Sequence, residues 1–210
     1  MKRKIALFDF DKTVIYKDSI FILYDKTCRK VPGFRVKLFL HLVKDILSHN
    51  PKHLKTTVKE TYLRMLEYYS PEELESFVEE DLMSYAFPEA IDTIHRLKED
   101  GYFLMLVSAS VDDYLRYVKN VLPFDHIIGT RTDAAFKLVG GNNKREQKVD
   151  NILAYLDAND IAIDYEHSVS FSDSLSADRP MMELTKNRYL INSSARADGF
   201  KHLRWERPSR

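Results

Sequence analysis

The sequence predicts an α/β protein: one parallel sheet, with a bundle of helices inserted directly after the first strand. Three observations carry this reading. Short apolar runs at 5–8, 102–107 and 168–171 each stop at polar residues, the pattern of strands buried on both faces. Helical periodicity separates the later runs, which is the β/α alternation of a parallel sheet. Before that alternation resumes near residue 86, about seventy residues carry helix patterns and almost no strand pattern.

At 210 residues the chain is long enough for one sizeable core with an inserted subdomain, and 44% hydrophobic content argues against disorder. Lys plus Arg and Asp plus Glu both number 32, so no net charge pulls the molecule toward nucleic acid or membrane. The single cysteine, Cys28, excludes an internal disulfide and reads as an ordinary small apolar residue in a reducing compartment. Lys2-Arg3-Lys4 is basic like the start of a signal peptide, but the apolar run behind it stops at Asp9. No segment is long and uncharged enough to span a bilayer, so a cytoplasmic location is expected.

Each element follows in order. Ile5-Ala6-Leu7-Phe8 is too short for a core helix and suits a buried strand, with Asp9, Asp11 and Thr13 at its carboxyl end. Ser19 is placed to cap a helix over 20–30, which Pro32-Gly33 breaks. The most apolar helix follows at 34–48, with Phe39, Leu42, Val43 and Ile46 on one face and Val36, Leu40 and Leu47 beside it. Asn50-Pro51 would open a third helix running to about 69, and Ser70-Pro71-Glu72-Glu73 a fourth running to about 85. Four helices with short links suggest a small bundle. A helix over 89–99 ends at Asp100-Gly101, and the strand 102–107 stops at Ser108. A helix over 112–122, a strand over 125–130, a hairpin or loop over 135–143 and a helix over 146–156 come next. The strand 168–171 ends at Ser172-Asp173, and 188–192 is the last strand before a polar tail. The expected division is an α/β core of residues 1–16 and 86–210, with a helical domain of residues 17–85 inserted in it.

Three strands thus end in groups able to do chemistry: Asp9 with Asp11, Ser108, and Asp173. In open parallel sheets the crevices outside the carboxyl ends of the strands are where ligands bind.

These residues give the sequence a resemblance to the haloacid dehalogenase superfamily of phosphohydrolases, in the phosphoserine-phosphatase-like branch (subfamily IB) that carries a helical C1-type cap. The first motif, DxDxT after an apolar strand, stands as Asp9-Phe10-Asp11-Lys12-Thr13; the second as Ser108 in Val107-Ser108-Ala109-Ser110. The third, a lysine at a helix start, is matched by Lys148, and the fourth by Asp173 with Asp178. Lys144 competes with Lys148, which is preferred because Val149, Ile152, Leu153 and Leu156 continue a helix face from it. The resemblance implies a Rossmann-like core, a Mg²⁺-dependent phosphatase, and an aspartyl-phosphate formed on Asp9. It makes Asp11 the acid/base, and Thr13, Ser108, the backbone at Ala109 and Lys148 the phosphate-binding groups. It makes Asp9, the Asp11 carbonyl, Asp173 and Asp178 the metal-binding groups. The hard oxygens of these acids suit Mg²⁺. The four residues between Asp173 and Asp178 are one more than relatives often have, so Asp178 reads as a ligand, an orienter of metal-bound water, or a helix cap.

In this branch the inserted helices select the substrate. From Lys26 to Lys59 nine bases face one acid, and from Glu60 to Asp100 twelve acids face three bases. Such runs either attract an anionic substrate or lipid, or satisfy each other across packed helices, the commoner outcome. Asp18 stands where phosphoserine phosphatases place a glutamate for the substrate amine, and is the candidate specificity residue. Ala109-Ser110-Val111 replaces the glycines those enzymes carry after the second-motif serine, which argues against phosphoserine itself. His49 and His53 have helical metal-pair spacing but flank the expected cap at Asn50-Pro51, so both read as solvent-exposed. The expected partner is a small phosphorylated metabolite; no nucleic-acid-binding module is recognisable, and nothing sets oligomeric state. A phosphotransferase or phosphomutase would use the same motifs, and a phosphate-binding protein with a dead site is the reading from outside enzymology.

Overall fold

The computed structural model describes residues 1–48 and 53–208. Nine strands occur among them: β1 (Lys2–Arg3), β2 (Ile5–Phe8), β3 (Phe103–Val111), β4 (His126–Thr132), β5 (Leu138–Val139), β6 (Ala162–Ile163), β7 (Val169–Ser172), β8 (Asn187–Ile191) and β9 (Phe200–Leu203). Seven form the main sheet in the order β5-β4-β3-β2-β7-β8-β9, parallel except for the β4–β5 hairpin. β1 and β6 make a separate parallel pair. β2 is the middle strand, and the chain passes from it first to β3 on one side and later to β7 on the other. That reversal of direction is where an open α/β sheet leaves a crevice.

Every side chain of β2 is buried. Ala6 and Phe8 enter a cluster on one face of the sheet, while Ile5 and Leu7 enter a second cluster on the other. This two-sided burial is why the run shows no alternation. The first face is covered by α5 (Pro88–Glu99), through Ala90, Ile94 and Leu97, and by the inserted helices. The second face is covered by α7 (Glu146–Ala158), through Ile152 and Leu156, and by α8 (Leu175–Met182), through Met181 and Met182.

The insertion comprises α1 (Ser19–Lys30), α2 (Phe34–Ser48), α3 (Leu54–Leu63) with a 3₁₀ extension over Arg64–Tyr68, and α4 (Pro71–Ser76), which runs on as a π turn over Phe77–Leu82 and a 3₁₀ turn over Met83–Tyr85. Ser70 and Glu73 form the expected reciprocal capping box at the start of α4. The expected cap at Asn50-Pro51, and His49, lie outside the described residues; His53 is exposed at the start of α3. Leu23, Leu63, Phe77 and Leu82 belong to the same apolar cluster as Phe8 and Phe10, so the inserted helices and the sheet share one core. Basic and acidic helices pair as Lys26–Asp81, Lys30–Glu73 and Lys37–Glu67. Much of the charge segregation along this region is therefore satisfied internally.

Several expectations need correction. In α2 the buried row is Phe34 and Leu38, with Leu42 half-buried, whereas Phe39 is 63% and Leu47 82% exposed. The apolar residues there outnumber the positions that the neighbouring helices can cover. Ser19 is not a cap: Asp18 takes that position with no side-chain cap bond, and Ser19 is wholly buried as the first helical residue. The strand at 102–107 runs on as β3 to Val111, with a register shift between Val107 and Val111. The expected 112–122 helix is α6 (Asp112–Leu115) followed by a 3₁₀ turn over Arg116–Asn120. The polar tail forms β9, and Trp205 beyond it is buried, its ring 5.9 Å from Phe87 and 6.2 Å from Phe171. Among the described residues no helix is long and apolar enough to cross a membrane.

Candidate active site

Asp9 continues the alternation of β2. It follows Ile5 and Leu7 and so faces α7. On α7, Lys148, Ile152 and Leu156 recur every four residues as one buried row, the spacing of a single helix face. Ile152 and Leu156 pack under the sheet, which places Lys148 beyond its edge. Lys148 is 1% exposed, and its Nζ lies 2.7 Å from Asp9 Oδ1 and 2.8 Å from Asp178 Oδ1. Asp178 sits one turn into α8 and is not its cap, because Ser174 fills that place by accepting the Ala177 N–H. Ser172 Oγ donates to Asp178 Oδ2 at 2.7 Å. Asp178 Oδ1 is buried against the Lys148 ammonium.

One ammonium thus stands between two buried carboxylates. Burial acts to lower the Lys148 pKa, but Asp9 and Asp178 outweigh it and the group is held above its ordinary value. Burial above all pushes the Asp9 carboxyl upward, against the pull of Lys148. Burial, followed by the nearby charge of Asp178, pushes Asp173 up to about 6. The centre therefore holds more carboxyl groups than its buried ammonium keeps readily ionised.

Asp11 lies apart from that ion pair, in a network of its own. Its Oδ1 accepts the Ser19 backbone N–H at 2.7 Å, capping α1 in place of a side chain from the helix itself. Its Oδ2 accepts from Ser110 Oγ at 2.6 Å. Ser19 Oγ is 2.9 Å from Ser110 Oγ and 2.7 Å from Tyr114 Oη. Because Ser110 Oγ spends its proton on Asp11 Oδ2, the Ser19 hydroxyl donates to Ser110 and the Tyr114 hydroxyl donates to Ser19. Burial raises the Asp11 pKa, and the bonds from Ser110 and Ser19 oppose that rise. Burial likewise holds the Tyr114 hydroxyl protonated.

The remaining expected residues divide. Ser108 is buried; its Oγ accepts the Ser110 N–H at 3.0 Å, and it borders the polar cavity with Ala109. Thr13 is wholly buried, does not line the cavity, and its Oγ1 accepts the Asp173 N–H at 2.9 Å. It ties the first and fourth motif loops together. Asp18 faces the cavity but pairs with Lys12 Nζ at 2.6 Å. Lys12 itself has a left-handed backbone, φ 59°, in the tight turn after Asp11. Lys144 also borders the cavity, whereas Lys148 makes the contact with Asp9. The cavity these residues enclose measures about 220 Å³.

Among the described residues no three Asp, Glu, His or Cys side chains converge as a complete ligand cage. Asp9, Asp173 and Asp178 border the same polar cavity, and the Asp11 carbonyl belongs to the same loop. Two carboxylates completed by a carbonyl and water are what Mg²⁺ accepts, since it keeps several waters and takes few protein ligands. The residues present fit that ion.

The family profile of the haloacid dehalogenase-like hydrolases matches residues 6–183. The chain belongs to that family. A comparison with curated protein sequences finds no match. Among solved structures, this haloacid dehalogenase-like hydrolase is similar to a protein of unknown function from Bordetella pertussis Tohama I, with a TM-score of 0.75 at 22% identity over 92% of both chains. It is also similar to a phosphoserine phosphatase solved as an analogue of its phospho-aspartyl intermediate, with a TM-score of 0.62 at 18% identity over 92% of this chain and 88% of that one. A substrate-bound phosphoserine phosphatase gives a TM-score of 0.59 at 20% identity, with 92% and 88% covered. At such identities the likeness shows the fold.

Sequence reasoning missed several residues of this hydrolase's site. Ser110, Ser19 and Tyr114 join Asp11 from three separate segments and share no motif spacing. Asn143 is buried and donates from Nδ2 to the Ser108 carbonyl at 2.8 Å and to the Ile128 carbonyl at 3.1 Å, holding the second motif against β4. Its one sequence signal is its place in a polar loop following Gly140-Gly141.

Proposed function

We propose that this hydrolase is a Mg²⁺-dependent phosphomonoesterase that works through an aspartyl-phosphate on Asp9. The observation that carries the reading is the separation of the two first-motif acids, with Asp9 against Lys148 and Asp11 in a neutral hydroxyl network. Separate surroundings set separate roles for two carboxylates. Mg²⁺, held by Asp9, the Asp11 carbonyl and Asp173 with Asp178 beside them, would supply the positive charge that lets an anionic nucleophile approach a phosphate dianion.

The chain's own groups do the rest. Lys148 aligns Asp9 and neutralises phosphoryl oxygens. Ser108 and the backbone at Ala109 border the same cavity and offer further donors. An Asp9 carboxylate oxygen bonds to phosphorus as the bond to the ester oxygen breaks, and Asp11 gives its proton to the departing alkoxide. Water then attacks phosphorus, Asp11 takes its proton, and the bond to Asp9 breaks to release phosphate. The raised pKa of Asp11 suits a group that must carry a proton and later accept one.

The test is phosphate release from p-nitrophenyl phosphate with and without Mg²⁺. Asp9→Asn is expected to lower kcat by at least about 10³-fold, since one nucleophile cannot be replaced by the other acid. Undiminished turnover in that variant would sink the covalent route. Transfer of phosphate to an added alcohol in preference to water would instead make the enzyme a phosphotransferase.

A further inference from the structure

A second cavity opens against the reaction centre, and its chemistry differs from that of the first. It measures about 460 Å³ and shares Asp11 and Ala109 with the polar cavity. Small-molecule sites usually span about 300–1,000 Å³, so the polar cavity alone has room for little beyond the phosphoryl group. The second supplies the missing space on the side of Asp11, the residue placed to protonate the leaving oxygen.

Its walls are Ile20 and Phe21 of α1, Val58, Tyr62 and Leu63 of α3, and Val111 of β3. Lys55 lines it too, exposed to solvent, and the other polar groups that reach it are largely committed elsewhere. Ser110 and Tyr114 belong to the Asp11 network. Lys59 Nζ donates to the Ala109 carbonyl at 2.7 Å and to Asn142 Oδ1 at 2.6 Å. Asp18, the acid nearest in position to an amine-holding group, is neutralised by Lys12 and faces the polar cavity. A zwitterionic leaving group would lose water in this chamber and find few partners, a costly exchange, whereas a hydrocarbon would lose nothing.

We infer that this chamber holds the organic half of the substrate, and that the substrate class is the phosphate monoester of an apolar alcohol, alkyl or aryl. The inference rests on the phosphomonoesterase reading for its turnover, but binding tests it independently. Methyl-, butyl-, hexyl-, octyl- and benzylphosphonate cannot be hydrolysed, and their affinities can be titrated by calorimetry on the Mg²⁺-loaded protein at concentrations where they stay monomeric. Affinity is expected to rise roughly fourfold per added methylene until the chamber is full, as burial of a CH₂ predicts. Benzylphosphonate should fall on the rising part of the series if an aryl alcohol is accepted, and near methylphosphonate if the chamber takes only alkyl chains. Val58→Glu, at the half-buried wall of α3, should flatten the slope, and retained cooperative unfolding would show that the variant is folded. A flat series in the wild-type protein, or tighter binding of phosphonoalanine-type zwitterions than of octylphosphonate, overturns the inference. In parallel, failure to hydrolyse any ester while the phosphonate series still rises would overturn the phosphomonoesterase reading and leave the chamber assignment standing.

Discussion

Asp11 shows how much a single residue's role depends on neighbours distant in sequence. Its carboxylate caps a helix and ends a chain of three hydroxyls, so its orientation is held before any substrate arrives. Lys59, close behind it, allows a test by pH. Burial chiefly lowers its pKa from 10.5 to about 8. The unfolded lysine keeps its proton to higher pH than the folded one, so between those values the unfolded state binds more protons and stability rises with pH. Below about 8 both states are protonated and the full cost of the buried charge is present. The difference in unfolding free energy between the wild type and Lys59→Met should therefore shift by on the order of 2–3 kcal/mol between pH 7.5 and pH 10.5, in favour of the wild type as pH rises. Chemical denaturation across that range reads it; a constant difference would place Lys59 in water.

At the scale of elements, β3 and α8 carry the site, and both depart from what local pattern shows. β3 extends past Ser108 through a register shift, which brings Ser110 to Asp11. Its close neighbour is Gly129 of β4, where a Cβ would lie 2.8 Å from the Asp112 N and 3.0 Å from the Ser110 O. Both obstacles are backbone, so neither can rotate away. Gly129→Ala should cost about 1–3 kcal/mol through overpacking, lowering Tm by roughly 2–10 °C for a chain of this size. An unchanged melting curve would mean that β4 and α6 can part without loss. α8 contains Pro180, and an interior proline removes a helix hydrogen bond. Packing of Met181 and Met182 under the sheet stabilises the helix despite it.

Over the whole molecule, the excess of buried acid over buried base is the property that predicts metal dependence. Mg²⁺ that binds only the folded state should raise Tm, and Asp173 must lose its proton to take part. With its pKa pushed up to about 6, the thermal shift produced by Mg²⁺ should be large at pH 7.5 and small at pH 5. Asp173→Asn should weaken it at both; an equal shift at both pH values would exclude Asp173 as a ligand. The parallel order of strands, the insertion after β2 and the polar strand ends were legible in the sequence, because two-sided burial leaves an uninterrupted apolar run and a helix leaves its own period. The helix face that runs from Lys148 to Leu156 led to the choice of Lys148 over Lys144, and the fold places Lys148 Nζ 2.7 Å from Asp9 Oδ1. The row of α2 that turns inward, β9 and the hydroxyl network around Asp11 were not legible. Each is decided by which segments meet, and residues 91 or more positions apart, such as Ser19 and Ser110, share no local pattern that records their contact. The sequence by itself determined the chemistry on offer: two acids, a lysine and a hard-oxygen set at strand ends. Only the tertiary structure formed the apolar chamber beside it, because that chamber exists solely where α1 and α3 are packed over the end of β3.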